Sequence, residues 1–324
     1  MYSKSDRILL VTTASAVPNN LAVQKVGKDG KSFAIGVIHG GYINIVPIRE
    51  CDMRSRYVPC IESGTRPRHV TTTVTQIKWC SVHKEQLLLV TSSLGFQVFD
   101  DMGRNCWFTH ACLDSTEKAG KFARGIALIG DGTVCVGNNS GTIRVFHISE
   151  DFSEFKLVDQ LPVHQKCITD LASNQHDLLA SADDSGTIVL YDVGNDTRCL
   201  AAIQSFGFPC TCLQIWKSFI LAAYGSGHIR MFEAKFGSIL CEVSAHARWI
   251  TALDLAPDKG VLLSVSEDSC AKVWGIDKEE RRLVHKFSVP CDNGMLMGGR
   301  FLNSSGTEFC VTAFDSNEVF CYST

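Results

Sequence analysis

Long apolar runs are missing from this 324-residue chain: aliphatic stretches such as Leu87-Leu88-Leu89-Val90 fall far short of the ~18 residues that a membrane-spanning helix needs. A surplus of positive charge is missing too. Lys and Arg total 31 against 34 Asp and Glu, a net charge of −3, so no global field draws the chain onto nucleic acid or an anionic membrane. The glycine pairs Gly40-Gly41 and Gly298-Gly299 do not continue into a phosphate-cradling loop, and no nucleotide cofactor is expected. No segment repeats apolar residues at the i, i+3, i+4 spacing of an amphipathic helix. With 45% apolar and 20% charged residues, the composition excludes disorder, a collagen-like chain and a small disulfide scaffold. Cysteine is plentiful at 15, but the number is odd and the residues are spread through apolar, strand-patterned contexts, which reads as reduced thiols.

What the chain does have is a repeat. Four segments share a short apolar run, a polar turn and an alternating strand that ends in an aromatic residue. Their second halves are Ser140-Gly141-Thr142-Ile143-Arg144-Val145-Phe146, Ser185-Gly186-Thr187-Ile188-Val189-Leu190-Tyr191, Ser226-Gly227-His228-Ile229-Arg230-Met231-Phe232 and Asp268-Ser269-Cys270-Ala271-Lys272-Val273-Trp274. Weaker copies end at Phe99 and Tyr322, so successive terminal aromatics are 41 to 48 residues apart. Period-2 alternation at that repeat length is the signature of WD-repeat propellers, in which each repeat forms a four-stranded blade.

A candidate innermost strand precedes each hairpin: 21–26, 74–79, 125–129, 168–172, 210–216, 250–256 and 295–302. The expected fold is therefore all-β, a single seven-bladed propeller over residues 1–324. Blade seven runs to residue 324 after only three strands, and an unpaired edge is a liability. Residues 7–13 are expected to supply its outer strand and close the ring. Residues 49–73 are expected to hold an irregular loop and the outer strand of blade one, with Arg49, Arg54, Arg56, Arg66 and Arg68 outnumbering Glu50, Asp52 and Glu62.

His246, Ser264, Ser266, Asp268 and Trp274 have the composition of a buried polar network inside blade six, and His164, Ser181 and Asp184 that of a looser one in blade four. Ser, His and Asp also compose a hydrolase triad, but no Gly-x-Ser-x-Gly elbow surrounds Ser264 or Ser266, so no catalytic residues are assigned. Cys106, His110 and Cys112 would share one face of a strand. They lack the two-residue knuckle spacing of structural zinc, and no metal is assigned.

Phe122-Ala123-Arg124-Gly125-Ile126-Ala127, Ala182-Asp183-Asp184-Ser185-Gly186, Ala245-His246-Ala247-Arg248 and Ala252-Leu253-Asp254-Leu255-Ala256 resemble core phrases of the WD-repeat family, and the resemblance spans the chain. It implies a non-enzymatic platform for protein or peptide partners, cytoplasmic, with links to signalling, trafficking or cilia. The residues set to meet a partner, on the loops entering the innermost strands, are Arg124, Lys166, Phe208, Arg248, Trp249 and Met295. Trp and Arg are the commonest interface hot spots. The alternatives are an architectural subunit of a larger assembly and, from another class, a propeller enzyme or metal-dependent hydrolase using Cys106, His110 and Cys112 or a histidine lining the channel.

Overall fold

Apolar alternation interrupted by Gly, Asn and Asp turns makes short antiparallel strands, and the computed structural model shows how they group. It describes residues 2–25, 32–48, 55–60, 72–111, 121–193, 197–291 and 294–324. Among these the chain forms seven four-stranded sheets and no helix, the architecture of a seven-bladed β-propeller. Blade one comprises Leu21–Lys25, Ser32–His39, Tyr42–Pro47 and Arg56–Pro59, and blade two Val74–Val82, Glu85–Ser92, Gly95–Asp100 and Cys106–His110. Blade three comprises Ala123–Ile129, Thr133–Asn138, Thr142–Ile148 and Phe155–Pro162, and blade four Ile168–Ser173, Leu178–Asp183, Ile188–Asp192 and Arg198–Ile203. Blade five comprises Cys210–Trp216, Phe219–Tyr224, His228–Glu233 and Ile239–Ser244, and blade six Ile250–Ala256, Val261–Ser266, Cys270–Asp277 and Arg282–Pro290. Blade seven takes Leu296–Phe301, Glu308–Ala313 and Glu318–Ser323, and completes itself with Ser3–Leu9 from the other end of the chain. In blade one, Arg56–Pro59 is the expected outer strand; residues 49–54 and 61–71 of the expected loop, including most of its arginines, lie outside the described residues.

Two compact units divide the chain, one of residues 1–39, 44–57 and 211–324, the other of 40–43 and 58–210. In the first, Leu221, Ile229 and Met231 of blade five pack on Ile250, Leu253 and Trp274 of blade six. Leu263, Val265 and Val273 of blade six in turn meet Phe301, Phe309, Phe320 and Tyr322 of blade seven. Val319 and Cys321 then join Leu21, Ile35 and Val37 of blade one. The second unit repeats the scheme, with Leu89, Phe96 and Val98 on Ile126, Val136 and Phe146, and with Ala127 and Ile143 on Leu171 and Leu179. Each core layer thus belongs to two consecutive sheets, because the two faces of a blade are both apolar.

A bulge at the start of the first strands adds a polar stitch. Pairing slips between Val74 and Gln76, between Ile168 and Asp170, and between Ile250 and Ala252, so Thr75, Thr169 and Thr251 each fall out of the ladder. A bulged residue is free to re-aim its side chain. All three hydroxyls donate to a backbone carbonyl at the start of the next blade: Thr75 to Ala123, Thr169 to Cys210 at 2.5 Å, and Thr251 to Leu296 at 2.7 Å.

The closing strand lies four residues earlier than 7–13. Ser3–Leu9 pairs with Glu318–Ser323, Ser3 opposite Ser323 and Leu9 opposite Glu318. Residues 12, 13 and 15 cannot join it because they lace onto blade one: the Asn44 amide bonds the Thr12 hydroxyl at 2.8 Å, His39 Nδ1 bonds the Thr13 carbonyl at 2.6 Å, and the Ser15 N–H bonds the Ile38 carbonyl at 2.9 Å. Tyr2, just before the strand, packs between Phe287 and Phe309 at ring distances of 5.3 and 5.1 Å and donates its hydroxyl to the Gly306 carbonyl. Deleting residues 1–9 should therefore expose one edge of the last sheet and lower Tm by about 4–7 °C, the shift expected for roughly 3–5 kcal/mol in a chain of this size. Thermal melting followed by far-UV circular dichroism checks this, and an unchanged Tm would remove the latch.

Candidate functional site

The loops entering the first strands are held from beneath by the turns of the preceding blade. Gly141 and Gly227 have φ of +85° and +80°, and a Cβ on either would stand 2.1 Å from a carbonyl of the next loop, His164 O and His246 O respectively. Only glycine tolerates both that conformation and that approach. In return the His164 and His246 N–H groups each donate 2.9 Å to the carbonyl of the glycine. The Ser-Gly step of the repeat is thus the seat on which these two loops rest.

In blade six that seat carries a chain of hydrogen bonds. Trp274 Nε1 donates to Ser264 Oγ at 3.0 Å, Ser264 Oγ bonds His246 Nε2 at 2.8 Å, and His246 Nδ1 lies 3.0 Å from Asp268 Oδ2. An ionised carboxylate only accepts, so Nδ1 carries the proton and Nε2 takes the one from Ser264. Burial opposes the charge on Asp268, but the bonds from His246 and from the Ala247 N–H outweigh it and hold the carboxyl at about 2. Burial pushes His246 below its usual range despite the raising effect of Asp268.

Ser266 stands apart from the imidazole: its hydroxyl accepts from the Asp268 N–H at 3.1 Å and donates to the Arg248 carbonyl at 3.3 Å. The Glu267 N–H bonds the Trp249 carbonyl at 3.0 Å. The backbone of 247–249 is therefore tied at three points to the Asp268 turn, and the side chains of Arg248 and Trp249 stand on a fixed loop.

Blade four uses a different acid. His164 Nδ1 lies 3.0 Å from Asp183 Oδ2 and its Nε2 2.8 Å from Ser181 Oγ, whereas Asp184 is exposed and only its N–H is used, toward the Cys167 carbonyl. Asp183 is the buried last residue of its strand, the position held by Ser266 in blade six, and its second carboxylate oxygen accepts the N–H groups of Ser185 and Thr187 at 2.9 and 3.0 Å. Burial raises the Asp183 carboxyl, but His164 and Ser185 bring it below the usual carboxylate range.

The six residues expected to meet a partner have unequal roles. Arg124 takes the bulge position that Thr169 and Thr251 take elsewhere, and its Nε donates to the Thr169 carbonyl at 2.9 Å, so it too stitches one blade to the next. Lys166 is exposed on the loop before blade four, and Phe208 is 49% exposed before blade five. Phe206, also exposed and on the other side of Gly207, is a further apolar side chain on this loop that the repeat pattern does not single out. Arg248 is exposed, while Trp249 is 42% exposed with its indole resting on the Gly225 backbone, where an added Cβ would come within 2.9 Å of the ring. Met295 is half-buried and its carbonyl accepts the N–H of Phe314, which is the more exposed of the two.

Of the cysteine and histidine stretch, Cys112 lies outside the described residues. Cys106 Sγ is 3.4 Å from the Phe108 carbonyl with its thiol pushed up to about 11 by burial, and the His110 ring packs 5.1 Å from Phe146 with its pKa lowered by burial and by Arg144. Among the described residues, no three His, Cys, Asp or Glu side chains group to hold a metal.

The network yields a graded prediction. Trp274→Phe keeps the ring and removes the donor, which should cost about 1 kcal/mol, whereas His246→Ala strands both Ser264 and Asp268 and should cost roughly 2–4 kcal/mol in urea denaturation at pH 7. His246 and Asp268 both bind fewer protons folded than unfolded, so acidification withdraws their stabilisation. That of His246 is lost as pH falls below about 6.5, and that of Asp268 from about pH 4 to about 2. The fall in stability from pH 6.5 to 5 should accordingly be shallower in His246→Ala than in the wild type.

Comparison with known proteins gives the same architecture. A chain from the crystal structure of the mitotic checkpoint complex superposes with a TM-score of 0.78 over 99% of this chain and 94% of its own, at 14% identity, a likeness of fold alone. Mouse WD repeat-containing protein 54 is 32% identical over the whole of both chains, and the human protein 32% identical over 98% of each. The WDR54 family model matches residues 1–324. WD40 propellers are typically protein-interaction scaffolds and generally non-enzymatic, and this chain belongs to the WDR54 family among them.

Proposed function

We propose that the protein is a non-enzymatic scaffold that holds a protein or peptide partner on the loop entering blade six, with Trp249 and Arg248 as the anchoring side chains. The observation that carries this reading is the combination of an exposed indole with a backbone tied down by Asp268, Ser266 and Glu267. A large ring held in place loses little conformational freedom on binding, which is why tryptophan and arginine anchor interfaces. Free thiols such as Cys135, Cys310 and Cys321 accord with a reducing, cytoplasmic setting.

A second reading, as an architectural subunit, draws on the exposed Val158 and Leu200 of the fourth strands of blades three and four. Affinity purification from cells separates the two. Arg248→Glu combined with Trp249→Ala, which touches only exposed side chains, should leave Tm within about 2 °C and reduce recovery of specific partners at least tenfold, as expected for loss of hot-spot residues. Full retention of partners by the double variant would overturn the proposed anchor, and their loss on Val158→Asp with Leu200→Asp instead would favour the architectural reading.

A further inference from the structure

The latch strand does more than complete a sheet. Its pairing slips between Lys4 and Arg7, and that one-residue bulge puts Lys4 and Arg7, three apart in sequence, on the same face of the strand. Both cations then lie over one ring, Lys4 Nζ 4.8 Å and the Arg7 guanidinium 5.9 Å from the centre of Phe320. They overlook a cavity of about 340 Å³ walled by Tyr2, Phe320 and Tyr322 on one side and by Val289, Pro290 and Cys291, at the end of the last strand of blade six, on the other. Every one of these residues belongs to the same compact unit. Arg7 is drawn 3.4 Å from Glu318, while Lys4 has no carboxylate partner among the described residues.

The geometry points to this cavity as a second binding site, one that takes an extended acidic peptide segment. Two cations over an aromatic floor select an anion, and a carboxylate between them would supply the counter-charge that Lys4 lacks. A small free anion would occupy only the cationic rim and leave the partly exposed Tyr2, Val289 and Pro290 uncovered. The volume is at the lower end of small-ligand sites, enough for a side chain with its neighbour rather than a cofactor. The latch is also the last strand of its sheet, and the side chains of Ser3–Leu9 are almost all exposed. Among the described residues no strand pairs with its outer edge, so an extended peptide can hydrogen-bond along it while setting its acidic side chain between Lys4 and Arg7. The site is independent of the blade-six loop, and an occupant would clamp the latch to blades six and seven.

The test uses the full chain and a fluorescein-labelled peptide of alternating glutamate and leucine, read by fluorescence anisotropy, beside its twin with glutamine for glutamate. The wild type should bind the acidic peptide saturably, at least tenfold more tightly than the glutamine twin, and its Tm should rise as peptide is added because only the latched form binds. Lys4→Gln with Arg7→Gln should weaken binding at least tenfold; Lys4→Gln alone, which breaks no ion pair, should weaken it at least threefold and serves if the double variant melts early. Arg248→Glu with Trp249→Ala should bind this probe as the wild type does. The proposal is overturned by equal affinity for the two peptides, by undiminished binding to a well-folded Lys4→Gln variant, or by the absence of any saturable binding. Full displacement of the peptide by millimolar inorganic phosphate would overturn the peptide assignment in favour of a free anion.

Discussion

A strand at the edge of a sheet carries a row of backbone donors and acceptors, and in blade seven Glu318–Ser323 would present such a row if Leu296–Phe301 and Glu308–Ala313 were its only companions. Pairing Ser3–Leu9 with Glu318–Ser323 settles that debt with residues from the other end, so the two ends of the chain become neighbours in one ladder. The rest of the fold is nearly local: six sheets are each built from consecutive strands, and within each unit the core layers described above are shared between consecutive sheets. A chain of nearest-neighbour layers is only as stable as its end layers, and the latch gives the end layer a partner.

Between layers, one local device recurs. A bulge at the start of the first strand frees a polar residue to reach the next sheet's backbone, and the glycine in the preceding turn lets the entering loop settle at van der Waals contact. Together they make the loops rigid without large side chains beneath them. Rigidity matters for a protein whose chemistry is recognition, since an anchor such as Trp249 gains most when its position is set before the partner arrives. In blade six the polar chain from Trp274 through Ser264 and His246 to Asp268 adds a second constraint, because the same Asp268 turn that satisfies the buried imidazole also holds the 247–249 backbone. Folding chemistry and the proposed binding surface therefore share residues.

Much of this was legible in the residues themselves. The hairpins announced themselves because their second and third strands are buried on both faces and keep apolar alternation between fixed turns. Fourth strands did not: Phe155–Pro162 and Ile239–Ser244 are largely exposed, so selection for burial leaves little pattern in them. The latch shows the consequence. The apolar run Ile8–Val11 drew the expected strand toward residues 7–13, yet the strand is the polar Ser3–Leu9, and Leu10 and Ala14 are buried beyond it as the chain crosses to blade one. Asp184 and Asp183 show a second limit, because adjacent carboxylates are equivalent on paper and only the ladder decides which one faces His164. Arg124 shows a third: an arginine before an inner strand reads as a surface cation until the bulge turns it onto the Thr169 carbonyl.

By itself, then, the sequence determined the class of the fold, the number of blades and the His246–Asp268 pairing, since each follows from period, turn chemistry and spacing within one repeat. Tertiary structure alone decided the register of the latch, which acid serves His164, which exposed residues are committed to stitching, and that Lys4 and Arg7 share one aromatic floor. Those outcomes depend on contacts between residues far apart in sequence, Lys4 and Phe320 among them, where a single bulge changes which face a side chain occupies.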